Sequence, residues 1–336
     1  MTSIRAKLSV TIRATTAGTT SVAAISVTPM TFIVASTVAA STIMSAMSIA
    51  VVGCTGSTGV ATVKALAALS PAPEIVAVAR SAAKATELFS DLPSVTCVEG
   101  AATDPRGLRK ALTGVEVAFL NAPPTEDRAE LIIASAAAAK AAGVQRLVVL
   151  SVATCGYVRT CFGKQVLKAE AGVTSLGLPV TYVRCPLFLD NILGQAGTVQ
   201  SDGAMYGPTK PDVPWRGVST DDVGKAVAAA LTGAGHEGKT YKIMSPPATW
   251  MDIAAAVSDA AGKEVKYVQV PYDAATEAMI GMGFPSWQAD GVNELNHLID
   301  SGDPVFGGDD DDFATLTGSS ATSVADFVKA HAGVFA

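Results

Sequence analysis

The segment IAVVGCTGSTGVATVKAL, Ile49–Leu66, constrains the fold of this chain more than any other. It joins an apolar, β-branched run that predicts a buried strand to a stretch of helical composition. Gly53, Gly56 and Gly59 lie between the two. The first glycine permits a tight turn, the second lets a ligand approach the backbone, and the third lets the helix pack against the strand. Since N–H groups at a helix N-terminus favour an anion, the segment predicts a site for a dinucleotide pyrophosphate.

Further strands and helices are predicted to alternate along the chain. The predicted strands after Ile49–Val52 are Ile75–Ala79, Val95–Val98, Val115–Leu120, Leu147–Leu150 and Val180–Val183. The predicted helices are Thr58–Leu69, Ala82–Phe89, Pro105–Leu112, Glu126–Ala142 and Phe162–Ser175. Continuously apolar strands with helical connections are typical of a parallel sheet that is covered on both faces. The predicted fold class is therefore α/β, a Rossmann-like doubly wound parallel sheet, with a cofactor-binding domain over residues 47–186.

The pattern changes after Pro186, where a stretch rich in Gly and Pro precedes further helices. Ser219, Thr249 and Ser323 each stand three residues before an Asp, which is a variant of the capping box at a helix start. We predict a smaller, mostly helical substrate lobe over residues 187–336, interleaved with the first domain. The acidic run Asp309–Asp312 is interpreted as a solvated loop.

Residues 1–46 differ from the rest of the chain. They contain three basic residues and no Asp or Glu, and they are rich in Ser, Thr and Ala. This composition resembles a transit peptide, so we expect a disordered leader and an organellar location, plastid or mitochondrion. The alternatives are a non-native extension upstream of Met47, which would make the protein cytoplasmic, or an apolar anchor. Thr and Ser interrupt the apolar run too often for a membrane span.

The overall composition excludes several classes of partner. A formal net charge of −6 and the lack of Lys and Arg clusters argue against direct nucleic-acid binding. The five cysteines are an odd number with no Cys-x-x-Cys pair, which indicates free thiols. We expect a small-molecule partner and no membrane, while a homodimer or a regulatory protein partner stays open.

The end of the second predicted strand indicates which dinucleotide is preferred. NAD enzymes of this architecture usually carry an acidic residue there, whereas EIVAVARSAAK offers Arg80, Ser81 and Lys84. A guanidinium pairs with a phosphate through two charge-assisted bonds. We therefore predict NADP(H), with NAD(H) as the alternative; in the competing interpretation Arg80 only lies in solvent at a sheet edge.

From Met47 to its C-terminus the chain resembles the NmrA-like group of atypical short-chain dehydrogenases, of the NAD(P)H:quinone oxidoreductase and triphenylmethane reductase type. The motifs that carry this resemblance are MSIAVVGCTGSTG, GLPVTYVRCPLFLDN, GHEGKTYKIMSPPATWMDIAAAVSDAAGKEVKYVQVP and TGSSATSVADFVKAH. The resemblance implies NADP(H) preference and a cofactor cleft at the ends of the strands. The predicted cofactor-binding residues are Gly53, Thr55, Gly56, Ser57, Thr58, Gly59, Arg80, Lys84, Asp104, Asn121, Ala122, Pro123, Ser151 and Val152.

The catalytic residues are harder to predict. Ordinary short-chain dehydrogenases use Tyr-x-x-x-Lys, in which Tyr donates a proton and Lys lowers its pKa. Tyr157 is followed by Cys161 at that spacing, and Lys164 lies further on. The quinone reductase type often has a His four residues before a Glu; Glu170 is present, but Val166 takes the place of the His. Tyr157 and Lys164 are our candidate catalytic residues.

Three functions compete at this stage. The first is an NADPH-dependent oxidoreductase that transfers hydride to a quinone or similar conjugated acceptor near Asn121, Tyr157 and Lys164. A conjugated acceptor spreads the transferred charge, so a missing acid does not prevent its reduction. The second is a catalytically silent NAD(P)-binding redox sensor of the NmrA type. The third, a sugar-nucleotide epimerase, requires the Tyr and Lys pair that this chain lacks.

Overall fold

The chain divides between Ala46 and Met47 into two units, each of which is described by itself. The computed structural model describes residues 9–16, 19–26, 47–309 and 311–336. In the first unit, strand β1 (Ser9–Thr16) pairs antiparallel with β2 (Thr19–Ser26), a hairpin that the sequence did not predict. The rest of the predicted leader, including residues 32–46 of its apolar run, lies outside the described residues. Among the described helices, none is both long and apolar enough to cross a membrane.

A seven-stranded parallel sheet forms the centre of the second unit, with the strand order β5-β4-β3-β6-β7-β8-β10. A separate small sheet pairs β9 with β11. The bounds are β3 Ser48–Val52, β4 Glu74–Ala79, β5 Val95–Glu99, β6 Val117–Leu120, β7 Arg146–Val152, β8 Val180–Cys185, β9 Ala204–Gly207, β10 Thr240–Lys242 and β11 Lys266–Gln269. The predicted Rossmann-like α/β fold is confirmed.

Thirteen α-helices are described in the second unit, with 3-10 turns at Leu189–Gln195 and Ala332–Val334. The helices are α1 Ser57–Ala67, α2 Ala82–Leu88, α3 Pro105–Ala111, α4 Arg128–Ala142, α5 Cys161–Ser175, α6 Ala196–Asp202, α7 Thr220–Thr232, α8 Trp250–Ala261, α9 Tyr272–Gly281, α10 Ser286–Asp300, α11 Pro304–Gly307, α12 Phe313–Thr317 and α13 Val324–Ala330.

The sheet is buried on both faces because successive residues of a strand point to opposite sides. Ile49 and Val51 belong to the core on one face, which includes residues of α1 and α7. Ala50 and Val52 belong to the core on the other face, which includes residues of α3 and α4. This two-sided burial explains why the strands are continuously apolar.

The strand order reverses between β3 and β6. From β3 the chain builds outward to β4 and β5, and after β6 it builds the other way to β7 and β8. Because every strand is parallel, the loops at this reversal leave a crevice at the carboxyl ends of the strands, where ligands of such folds bind.

The C-terminal half packs a core of its own and also supplies β10 to the main sheet. The predicted caps form: Ser219, Thr249 and Ser323 each accept a hydrogen bond from the backbone N–H three residues on. The interpretation of Asp309–Asp312 as a solvated loop is wrong in part. Asp312 accepts from the backbone N–H of Lys242, and Asp311 accepts from that of Met244, so these carboxylates support the edge of β10.

Candidate cofactor and substrate cleft

A cleft of about 700 Å³ runs along the carboxyl ends of the strands. We call its first part the glycine-loop end, formed by the residues that follow β3 and β4: Gly53, Thr55, Gly56, Ser57, Thr58, Arg80 and Lys84. We call its second part the Ser151 end, formed by the carboxyl ends of β7 and β8, the residues that follow β8, and α5 and α10: Ser151, Val152, Phe162, Cys185, Pro186, Leu187, Gln288, Val292 and Leu295. Asn121, Ala122 and Pro123, which follow β6, also line the cleft.

The glycine loop is tightly confined by its own backbone and by the loop after β6. Gly53 has a φ of +78°, and a Cβ there would lie 2.9 Å from the carbonyl oxygen of Asn121. A Cβ on Gly59 would lie 2.2 Å from the carbonyl oxygen of Gly53. The N–H groups of Gly53 and Cys54 donate to the carbonyl of Val78 at 3.1 and 3.2 Å, which ties the turn to β4. Two of the three glycines are therefore required by close approach.

The N-terminus of α1 is open to the cleft. Gly56 is its N-cap and makes no side-chain cap bond, and the first turn contains no acidic residue. Asn121 donates through Nδ2 to Oγ1 of Thr58 at 2.7 Å, which joins the loop after β6 to this helix. The backbone N–H groups of the first turn therefore present the positive end of the helix dipole to the cleft. This geometry fits a pyrophosphate.

The cations at the glycine-loop end are available to a ligand. Arg80 and Lys84 are exposed, line the cleft and have no ion-pair partner among the described residues. Ser81, by contrast, accepts from the N–H of Lys84 as the cap of α2. Asp104 does not line the cleft; its carboxylate caps α3 by accepting from the N–H of Gly107 at 3.1 Å. Within the described chain no carboxylate lines the cleft, which suits a polyanion.

The Ser151 end contains a hydrogen-bonded chain of three side chains. Buried Ser151 donates through Oγ to Oε1 of Glu170 at 2.6 Å. Arg184 donates to both oxygens of the same carboxylate, through Nε at 3.0 Å and Nη2 at 2.7 Å. The hydrogen bonds with Glu170 raise the pKa of Arg184. The sequence motif had indicated Glu170 but not its two hydrogen-bond partners. Ser151 comes from β7, Glu170 from α5 and Arg184 from β8, so no local pattern links the three residues.

The structure places both candidate catalytic residues outside the cleft lining. Tyr157 donates from its hydroxyl to Oδ1 of Asp303 at 3.0 Å, and burial together with this carboxylate raises the pKa of Tyr157. Lys164 is exposed on α5. Neither is brought next to Ser151 by a hydrogen bond in the described residues. The sequence did not predict several residues that line the Ser151 end, namely Phe162, Cys185 and the α10 residues Gln288, Val292 and Leu295. It also did not predict Arg128 as a cleft residue.

Burial argues against thiol chemistry at the Ser151 end. Cys185 lines the cleft, and burial raises its pKa, so the thiol is protonated at neutral pH. Its neighbours in the cleft wall are mostly apolar, among them Phe162 and Leu187. The wall of this end is therefore suited to the apolar part of a ligand.

A family model described as the NmrA-like family matches residues 45–306. This chain belongs to the NmrA-like family. The resemblance that the glycine loop and the later motifs indicated is thereby confirmed.

Three of the proteins that this chain resembles are oxidoreductases. The chain is 34% identical to an NAD(P)H azoreductase of Xenophilus azovorans, over 85% of this chain and 99% of the relative. It is 27% identical to the NADPH-dependent quinone oxidoreductase QOR2 of Escherichia coli, solved with NADPH, with a TM-score of 0.74 over 84% of this chain and 99% of that one. It is also 27% identical to the triphenylmethane reductase of Citrobacter sp., solved with NADP(H), with a TM-score of 0.71 over the same shares.

Proposed function

We propose that this NmrA-like protein is an NAD(P)H-dependent oxidoreductase that transfers hydride to a quinone or a similar conjugated acceptor. The relatives named above include NAD(P)H- and NADPH-dependent reductases of azo compounds, quinones and triphenylmethane dyes. The chemistry of the cleft supports extending that class of reaction to this chain.

The residues of the glycine-loop end fit a dinucleotide. The N–H groups at the start of α1 would hold the pyrophosphate, and Gly53 and Gly59 keep the backbone close enough for this. Arg80 and Lys84 would hold the 2′-phosphate of NADPH, which is why we propose NADP(H) as the preferred cofactor and NAD(H) as the weaker one. When bound, the reduced nicotinamide supplies the hydride.

One observation carries the choice of acceptor: the residues described as lining the cleft include no Tyr, His, Asp or Glu. Ser151 directs its hydroxyl proton toward Glu170 rather than toward the cleft. A simple ketone needs a positioned acid for the alkoxide that forms on reduction, whereas a quinone spreads the charge over a conjugated system. The residues of this chain would then orient the acceptor against the apolar side chains of the Ser151 end and exclude water.

The same missing acid also favours the second candidate, a redox sensor without turnover. One experiment separates the two functions. The purified full chain is titrated with NADPH, NADP⁺, NADH and NAD⁺, and NADPH oxidation is then followed with a panel of small quinones. Turnover supports the enzyme. Tight binding that discriminates between redox forms, with no turnover of any quinone, supports the sensor.

A further inference from the structure

The most unusual charged side chain of the described structure is that of Arg128, the first residue of α4. It lines the cleft and is only 8% exposed. Its Nε is buried without a hydrogen-bond partner, and its side chain forms no ion pair or hydrogen bond with the described residues. A buried, unpaired charge is strongly destabilising unless a ligand pairs with it.

Three partly buried arginines of the described structure each have an acceptor, although the Nε of Arg216 is also without a hydrogen-bond partner. Arg184 makes a bidentate pair with Glu170, Arg216 pairs with Asp309 at 2.9 Å, and Arg146 donates to the carbonyl oxygen of Ala230 at 2.9 Å. All three are partly buried. Arg128 is more buried than any of them and has no comparable acceptor.

Its helix does not compensate for this charge. A cation in the first turn of a helix opposes the helix dipole, which favours anions there. The N-cap of α4, Asp127, makes no side-chain cap bond, and the nearest acidic residue of the first turn, Glu130, instead pairs with Lys168. Arg128 is therefore unfavourable in two ways, since its charge is buried without a partner and it opposes the helix dipole. Both costs are reduced if an anionic ligand binds to it.

Arg128 and Cys185, the last residue of β8, both line the cleft, and each influences the pKa of the other. β8 is three strands from β3 in the sheet, roughly 14 Å at the usual strand spacing, so Cys185 lies well away from the pyrophosphate site after β3. At the glycine-loop end, the N–H groups at the start of α1 and the side chains of Arg80 and Lys84 are the proposed donors to the two cofactor anions.

We propose that Arg128 binds an anionic substituent, a carboxylate, sulfonate or phosphate, carried by the conjugated acceptor at the Ser151 end. This inference rests on the proposed function, since it assigns a substrate class to the same cleft. The guanidinium offers two parallel donors to such a group, while the apolar wall around Phe162 takes the rings of the acceptor.

The test compares a neutral acceptor, 1,4-naphthoquinone, with an anionic one, 1,4-naphthoquinone-2-sulfonate. Arg128→Gln removes the charge, Arg128→Lys keeps it without the planar pair of donors, and Arg109→Gln is the control at an exposed arginine outside the cleft. For Arg128→Gln we expect the KM of the sulfonate to rise about tenfold to a hundredfold. The neutral quinone should change by less than about twofold, and the Kd of NADPH should not change.

Each acceptor is compared with itself across the variants, so that differences in reduction potential cancel. Equal losses for both quinones would overturn the proposal, because Arg128 would then act only on the structure. A weaker Kd for NADPH would also overturn it and assign the guanidinium to the cofactor. A thermal melt checks folding, and if Arg128→Gln does not fold, Arg128→Lys is judged by the same outcomes with a smaller expected rise.

Failure of the proposed function is distinguishable from failure of this inference. If the unmodified protein turns over neither quinone, binding of the sulfonate to the NADP⁺-loaded protein is measured by calorimetry. Binding that Arg128→Gln removes would support the anion site even though the reductase assignment fails. No binding to the unmodified protein would overturn the anion site.

Discussion

The two ends of the cleft differ in how the chain builds them. The glycine-loop end consists of one continuous turn, Gly53–Gly59, and the short stretch from Arg80 to Lys84. The Ser151 end takes its residues from four separate elements, β7, α5 and β8 and, about 100 residues further along the chain, α10. The first is confined by backbone contacts, and the second by side-chain pairing such as that of Glu170 with Arg184.

This difference shows where each end tolerates change. A site made of backbone groups would bind the diphosphate, which NAD(H) and NADP(H) have in common. A side chain added to one of its glycines would clash with the neighbouring backbone. A side-chain cluster gathered from several elements can vary one residue at a time, so the same fold accepts different substrates. The predictions below test this division, from the largest expected effect to the smallest.

Gly59→Ala should disable the glycine-loop end completely. The new Cβ would lie 2.2 Å from the carbonyl oxygen of Gly53 and 2.8 Å from the Cα of Cys54, and both are backbone atoms. We expect the free energy of unfolding to fall by about 3 kcal/mol and the affinity for NADPH and NADH to fall by about a hundredfold. Urea denaturation and calorimetry measure the two effects. Gly281→Ala, at a helical glycine with open space around it, is the control and should change neither.

Glu170→Gln should disable the Ser151 end without affecting the other. It leaves Arg184, whose side chain is 30% exposed, without a counter-charge and alters the acceptor of Ser151. We expect a loss of about 2 kcal/mol in the free energy of unfolding, less than for a fully buried pair. Quinone turnover should drop while the Kd of NADPH stays constant. The exposed pair of Glu130 with Lys168 provides the control, since Glu130→Gln should lower the free energy of unfolding far less than Glu170→Gln.

Arg80→Ala should weaken the binding of NADPH much more than the binding of NADH. Because Arg80 is exposed and has no ion-pair partner within the described part of the chain, its loss should leave the fold intact and weaken NADPH binding by about tenfold, with little effect on NADH. The Kd values are measured by fluorescence titration, with Arg109→Ala as a control outside the cleft. An equal loss of affinity for NADPH and NADH would contradict the proposal that Arg80 binds the 2′-phosphate.

Tyr157→Phe and Lys164→Ala should have the smallest effects. Both residues lie outside the cleft lining, so kcat/KM for a quinone should stay within about twofold of the unmodified protein. Tyr157→Phe should lower the free energy of unfolding by about 1 kcal/mol, since the bond to Asp303 is lost. A large loss of kcat with unchanged stability would instead show that Tyr157 is catalytic, as the Tyr of an ordinary short-chain dehydrogenase is.

Local patterns predicted the sheet and the glycine-loop end, because apolar runs, helical spacers and glycine spacing are properties of neighbouring residues. Thr240–Lys242 was missed as a strand because three residues with a terminal Lys carry no strand pattern, and pairing with β8 decides their conformation. Arg128 was missed for a similar reason. It is the first residue of an alanine-rich helix and looks like a surface cation in the sequence, whereas its burial depends on how α4 packs against β6, α3 and α5.

Calorimetric titration of the full-length protein with NADPH tests the division between the two ends most directly. We expect one NADPH to bind per chain, with the affinity lowered about a hundredfold in Gly59→Ala and unchanged in Glu170→Gln. No heat and no thermal shift with NADPH, NADP⁺, NADH or NAD⁺ would contradict the assignment of the glycine loop as a dinucleotide cradle.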